Sequence, residues 1–233
     1  MTFRLPASAA SRPDDYDSMD FDSARATMIE QQIRPWEVLD PRVLDALGQV
    51  RREDFVPAAY RRLAFADTAL PLAHRESMLK PVVEGRLLQA LDLGAADDVL
   101  EIGTGTGFVT ACLARLAHAV TSIDIHADFI EAARPRLIVA GAGNVRLEVA
   151  DALAWNSGRQ YDAVCVSGAV AEIPPRFLDW VKPDGRLFVI RGHGPAQEAL
   201  RMTRRGQGWH TESLFETDIP YLRGAAPLPR FAL

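Results

Sequence analysis

Three features of this sequence predict an α/β fold, doubly wound around a mostly parallel sheet with helices on both faces. From residue 96 onward, short apolar runs alternate with longer amphipathic stretches. A glycine-rich turn follows the first of those runs, and acids stand at the ends of three successive runs. The segment before residue 96 reads as helix and loop. The expected organisation is a mobile tail over 1–20, an N-terminal helical lid with a polar lip over 21–95, and the α/β core with C-terminal edge strands over 96–233.

The elements follow in chain order. Residues 1–20 are rich in Ala, Ser, Pro and Asp and poor in large apolar groups, so they predict a tail. Asp22 and Ser23 are placed to cap a helix through ARATMIEQQI, which Pro35 stops. Asp40-Pro41 is a helix start, an acid at the cap and proline at the first helical position. Val43, Leu44, Leu47 and Val50 then recur at helical spacing. The stretch LPLAHRESMLKP, residues 70–81, has no clean period and is bounded by prolines, which predicts a loop; a helix, VVEGRLLQALDL, follows it. DDVLEIG, AVTSIDI, NVRLEVAD, YDAVCVSG and GRLFVIRG read as strands. FVTACLARLA and DFIEAARPRLIVAG read as helices, the second bent or broken at Pro135. TESLFETDIPYL is strand-like and suits a sheet edge.

Bulk properties exclude several classes. With 26 Lys+Arg against 31 Asp+Glu the net charge is −5, which argues against a nucleic-acid partner held on a basic surface. The two cysteines, Cys112 and Cys165, sit among apolar neighbours and predict buried, reduced thiols. No run approaches the about 18 apolar residues of a membrane span, and the first residues lack the apolar stretch of a secretory signal. A cytoplasmic protein with no membrane contact is expected.

The sharpest motif is VLEIGTGTGF, with Gly103, Gly105 and Gly107 at the turn between a strand and its helix. There a backbone approaches a ligand closely, and side chains would obstruct it. Such a turn also occurs without a ligand, but the acids strengthen the reading. Glu101, Asp124 and Asp151 all fall at the carboxyl edge of the expected sheet. Asp124 lies close to the roughly 20-residue offset at which an acid meets a ribose diol. Asp124 and Asp151 also suit ordinary helix caps. The third glycine comes one step sooner than in the dinucleotide fingerprint, and Glu101 stands just before the turn. An acid there repels a pyrophosphate and suits the cationic amino group of S-adenosyl-L-methionine.

The spacing Glu-x-Gly-x-Gly-x-Gly resembles the first motif of the class I methyltransferases, whose core is Rossmann-like. Over about residues 21–222 the chain resembles one family in particular, the protein-L-isoaspartate (D-aspartate) O-methyltransferases. IEQQIRPWEVLDPRVLDALGQVRREDFVP, LAFADTALPL, YDAVCVSGAVAEIPPRFLDWVKPDGRLFVI and FETDIPYL carry that resemblance. The resemblance implies methyl transfer from S-adenosyl-L-methionine to the free carboxylate of an isoaspartyl protein or peptide. It also implies that Glu101, Gly103, Thr104, Gly105 and Gly107 hold the methionine part of the cofactor. Asp124, with Ile125 beside it, would take the ribose. Asp151 and Ala152 would border the adenine, and Ser167 and Gly168 would lie beside the transferred methyl. Residues 70–81 become a substrate lip, where Ser77 matches a family threonine and is the catalytic candidate. The lip also departs from the family: Leu79 stands for a serine, Arg75 for a glycine and Glu76 for a glutamine. These changes keep open a divergent enzyme acting on another carboxylate, such as a small molecule. A domain that binds the nucleoside or a partner without catalysis is the remaining alternative. Arg75 and Lys80 are candidates to attract a carboxylate, and His74 is the less favoured candidate base. The chemistry needs no metal.

Overall fold

The computed structural model describes residues 19–228. The tail expected over 1–20 falls outside these residues except for Met19 and Asp20. Helix α1 (Phe21–Met28) starts on Asp20, whose carboxylate accepts hydrogen bonds from the N–H groups of Asp22 and Ser23 at 3.1 and 3.0 Å. Asp22 and Ser23, expected to be the cap, lie inside the first turn instead. Asp20 takes the cap because its backbone is extended (φ −71°, ψ 92°), the geometry that aims a side-chain oxygen at the free N–H groups. The chain runs on through a wide turn at Ile29–Ile33 and a tight one at Arg34–Trp36 that contains Pro35, and Glu37 then leaves helical geometry at φ 61°. Helix α2 (Pro41–Gln49) starts as expected on Asp40, which accepts from Arg42 N at 2.9 Å.

Residues 70–78 form a small hairpin of β1 (Leu70–Pro71) and β2 (Ser77–Met78), followed by α3 (Pro81–Leu91). The core then alternates: β3 (Asp98–Ile102), α4 (Phe108–Leu116), β4 (Ala119–Asp124), α5 (Ala127–Val139), β5 (Val145–Val149), β6 (Tyr161–Val170), α6 (Pro175–Asp179) and β7 (Val181–Arg191). Two further strands, β8 (Gln197–Arg205) and β9 (Gly208–Thr217), close the sheet. Seven strands lie in the order β5-β4-β3-β6-β7-β8-β9, parallel through β7 and antiparallel beyond it. Pro135, expected to bend or break α5, does not break it. It lies on the exposed side, and the carbonyl it leaves unbonded belongs to exposed Glu131, where water can satisfy it.

One face of the sheet is covered by α3, α4 and α5. Leu87, Leu113 and Leu137 pack there with Val99, Val120 and Cys165, and Met28, Ile33 and Leu47 of the N-terminal helices continue the same apolar cluster. The other face carries less helix. Phe177 and Trp180, the turn around Ala152, and Leu222 from the segment after β9 cover it. The central strands β3, β4, β6 and β7 are largely apolar on both sides because both faces are buried there, which is why they read as continuous runs in the sequence.

The strand order reverses direction at β3, whose neighbours are β4 on one side and β6 on the other. Ile102 stands opposite Ile123 and Val166 in the two pairings. The next residue along each strand is therefore Gly103, Asp124 and Ser167, gathered at one level on the carboxyl edge. Such a switch point is where open α/β sheets leave a crevice.

Candidate active site

Gly103, Gly105 and Gly107 all have positive φ, at 99°, 51° and 89°. The backbone of the turn therefore needs glycine for its conformation, and Gly107 also needs it for space. A Cβ on Gly107 would stand 3.1 Å from that of Ala133, so the start of α4 packs directly on α5. A Cβ on Gly103 would stand 3.4 Å from that of Ser167. Gly105 lies under the lip, with Leu72 Cδ1 the nearest atom to such a Cβ at 3.9 Å.

The three strand-end acids are used differently. Asp124 braces the turn: its oxygens accept from Gly105 N and His126 N, both at 2.9 Å. Asp151 is exposed and accepts from Leu153 N at 2.9 Å, fixing the turn that carries Ala152. Glu101 is fully buried behind the glycine turn. Its Oε2 accepts from Thr110 and Ser122, each at 2.5 Å, while its Oε1 is buried with no hydrogen-bond partner. Burial pushes its carboxyl up to about 7; the two hydroxyl bonds pull the other way, and the nearby Asp124 charge adds to the rise.

The lip closes the crevice from above. Leu72 N donates to Glu76 O at 2.8 Å, and His74 and Arg75 turn the chain at φ 59° and 67°. That conformation is costly for residues with a Cβ. It is held by His74, whose ring stacks on that of His126 with centroids 4.0 Å apart and planes within 3°. His74 Nε2 also meets the Asp128 carboxylate at 2.9 Å, and Phe129 packs its edge on both rings. His74, His126 and Asp128 could be read as a metal cluster. The rings are parallel, however, so their in-plane lone pairs cannot converge on one ion. Behind the lip, Arg52 is fully buried, pairs with Glu84 at 2.9 Å and donates to the carbonyl of Leu79 at 2.7 Å.

The far wall is built by residues 219–225, a strap laid beside β6. Gln197 holds Ile219 at both its N–H and its carbonyl, at 2.8 and 3.0 Å. Ala169 N donates to Pro220 O, and Leu222 N returns a bond to Ala169 O. Tyr221 donates its hydroxyl to Gly192 O at 2.9 Å. A Cβ on Gly168 would lie 2.6 Å from Leu222 Cδ2, so glycine lets the strap seat.

One cavity results. Gly103, Thr104, Gly105, Asp124, Ile125, Asp151, Ala152, Ser167, Gly168 and Ser77 all line it. Glu101 and Gly107, singled out with them in the sequence, do not: one lies behind the wall and the other between helices. Arg75 and Lys80 do not reach it either, being exposed on the lip. Sequence reasoning missed Leu72, Phe129 and the strap residues Tyr221, Leu222 and Arg223, which also line it. Tyr221 and Leu222 had a signal only in belonging to FETDIPYL, a segment that resembles a known one; Phe129 and Arg223 had none.

The sequence profile of the protein-L-isoaspartate(D-aspartate) O-methyltransferase (PCMT) family matches residues 23–219. The chain belongs to this family. A protein-L-isoaspartate O-methyltransferase of Methylorubrum populi is 38% identical over 206 residues, covering 87% of this chain and 97% of the relative. One from Methylorubrum extorquens is 38% identical over 86% of this chain and 89% of its own. Among solved structures, a Plasmodium falciparum protein described as a protein-L-isoaspartate O-methyltransferase superposes with a TM-score of 0.74 at 16% identity. It covers 85% of this chain and 97% of its own, and was solved with S-adenosyl-L-homocysteine. That structure shows the same fold. Glu76, Asp124, Asp151 and Glu84 all line the cavity. Burial raises Glu76 from its ordinary value; His126 opposes that rise and Asp124 adds to it. Burial pushes Glu84 up to about 7 against the pull of Arg52. Among the described residues no helix is long and apolar enough to cross a membrane.

Proposed function

We propose that this chain transfers a methyl group from S-adenosyl-L-methionine to the free carboxylate of isoaspartyl residues in damaged proteins or peptides. One observation carries the proposal. The cavity at the β3/β6 switch point is bounded by the glycine turn below and the Ser77–Leu79 lip above, within a chain that matches the family over 23–219.

The residues fit a cationic cofactor. The lining is rich in carboxylates, and Glu101 keeps a buried oxygen without a partner directly behind the turn. Gly103, Thr104 and Gly105 would hold the methionine part, with Glu101 and Gly107 shaping the turn from behind. Asp124 and Ile125 would meet the ribose, and Asp151 and Ala152 the adenine. Ser167 and Gly168 would flank the reacting centre, with Ser77 across from them as a donor to the acceptor. When bound, S-adenosyl-L-methionine supplies a methyl on a positively charged sulfur, which leaves as a neutral thioether as the carboxylate oxygen forms the new bond. The carboxylate is already a nucleophile at neutral pH, so no side chain need act as a base. The protein places the acceptor in line and excludes water, effects worth up to about 7–11 kcal/mol when ideal. The lip latch and the strap provide that enclosure. We also assign the reaction to the cytoplasm, because Cys112 and Cys165 are both buried and unpaired.

Methyl transfer from labelled cofactor to an isoaspartyl peptide, set against the same peptide with ordinary aspartate, tests this reading. Transfer to the first alone is expected. A second reading rests on Leu79, which is 6% exposed and lines the cavity where the family has a serine. It makes the acceptor a different carboxylate. In that case the native chain is poor on the isoaspartyl peptide and Leu79→Ser raises its activity sharply.

A further inference from the structure

The acceptor is an anion, yet the cavity it must enter is lined by Glu76, Asp124 and Asp151, besides Glu84, which Arg52 already pairs from behind. A carboxylate approaching that lining is repelled unless a cation offsets it. Among the described residues that line the cavity, one arginine and no lysine is present, and the arginine is Arg223. The lip cations Arg75 and Lys80, the obvious candidates from sequence, are outside it.

Arg223 is placed by construction. The strap is fixed on both sides of it: Leu222 N bonds to Ala169 O, and Ala225 O accepts from Ala171 N. Leu222 fills the space left by the missing side chain of Gly168, next to Ser167. The backbone of Arg223 is thus tied to the end of β6, beside the cavity. The guanidinium is exposed and takes part in no hydrogen bond or ion pair among the described residues. Most arginines of this chain are spent on carboxylates or carbonyls, as Arg52 on Glu84 and Arg86 on Glu37. An arginine left unspent at the rim of an acidic cavity is poised for an anion from outside, and its planar fork suits a carboxylate.

We propose that Arg223 receives the carboxylate of the methyl acceptor at the cavity mouth and orients it toward the reacting centre. The proposal rests on the methyl-transfer reading above. A carboxylate can come from two sources, the acceptor or the methionine end of the cofactor. The acceptor is favoured because Arg223 sits on the strap at the exposed rim, while the glycine turn and the start of α4 face the inner end.

The test compares the native enzyme with Arg223→Met and Arg223→Lys. Steady-state methyl transfer to an isoaspartyl peptide is measured with S-adenosyl-L-homocysteine binding by calorimetry. Loss of a charge-assisted pair predicts that Arg223→Met raises KM for the peptide on the order of ten- to a hundredfold. The dissociation constant for S-adenosyl-L-homocysteine stays within about twofold, and Arg223→Lys recovers part of the loss, an outcome that a merely structural role would not give. The native KM rises with ionic strength, and that of Arg223→Met does so less. An unchanged KM in an active Arg223→Met enzyme overturns this proposal and leaves the methyl-transfer reading intact. A matching loss of S-adenosyl-L-homocysteine affinity assigns Arg223 to the cofactor and also overturns it. A native enzyme that binds S-adenosyl-L-homocysteine but modifies no isoaspartyl peptide overturns the methyl-transfer reading, and this proposal with it.

Discussion

The imidazole of His74 lies flat on that of His126, ring centroids 4.0 Å apart and planes 3° from parallel. One ring belongs to the lip and the other follows directly on Asp124 and Ile125, so the stack fastens the acceptor side of the cavity to the cofactor side. His74→Ala should loosen the lip without unfolding the core, since His74 is exposed. KM for the acceptor should rise several-fold while thermal stability changes little, read by steady-state kinetics and a melting curve. Equal kinetics would show that the stack is idle.

Arg75 takes φ 67° next to His74 at 59°, a position where an L side chain costs roughly 1–2 kcal/mol. Arg75→Gly should relieve that strain, less the entropy a glycine adds to the unfolded chain. A net gain of about 0.5–1 kcal/mol in denaturant unfolding is expected, and a loss would mean that Arg75 makes a contact worth more than the strain.

Glu101 is held up to about 7 by burial, so between the ordinary carboxylate value and about 7 the folded state binds a proton that the unfolded state has lost. Its contribution to stability is therefore complete at low pH and is lost as pH rises through about 7. Glu101→Gln should flatten this part of the stability profile. The α-ammonium group of S-adenosyl-L-homocysteine prefers an ionised carboxylate beside it, so affinity should rise as pH climbs through about 7 in the native protein and stay level in the variant. Calorimetry at several pH values decides it.

Asp124 carries two backbone bonds at 2.9 Å and also faces the cavity. Asp124→Ala should weaken S-adenosyl-L-homocysteine binding by about 1.5–3 kcal/mol and raise hydrogen exchange at Gly105 and His126. Unchanged affinity with faster exchange would restrict Asp124 to bracing the turn.

Gly168→Ala places a methyl 2.6 Å from Leu222 Cδ2, and overpacking of this kind costs about 1–3 kcal/mol. Pairing it with Leu222→Ala should restore most of that loss, a coupling visible in a double-mutant cycle of unfolding free energies. Additive effects would separate the strap from β6.

What the sequence disclosed follows the range over which each signal acts. The glycine turn, the strand runs and the Asp40-Pro41 helix start are local: backbone conformation, two-sided burial and capping each leave a mark within a few residues. Asp20 was misjudged against Asp22 because several acids crowd one helix start, and only the backbone angles choose between them. β8 escaped notice because its run QEALRMTRR carries four charges, although the strand is mostly buried and paired with β9 along its length. The latch escaped entirely, since His74 and Asp128 are 54 residues apart and neither has a motif of its own. Arg223 was invisible for the same reason: what singles it out is the four acids that line the same cavity, drawn from four separate elements and turns. Glu101 was legible as an acid at the right spacing, but its place behind the wall depends on which way the side chain of β3 points.

The strap at 219–225 also sets an order of assembly. Every strand that brings Gly103, Asp124 and Ser167 together precedes it in the chain, so a growing polypeptide can form the cofactor side of the cavity while the acceptor side stays open to water. Until Leu222 settles against Gly168, a half-made molecule holds no acceptor in line. The strap thus makes the enclosure of the acceptor one of the last features that chain synthesis supplies.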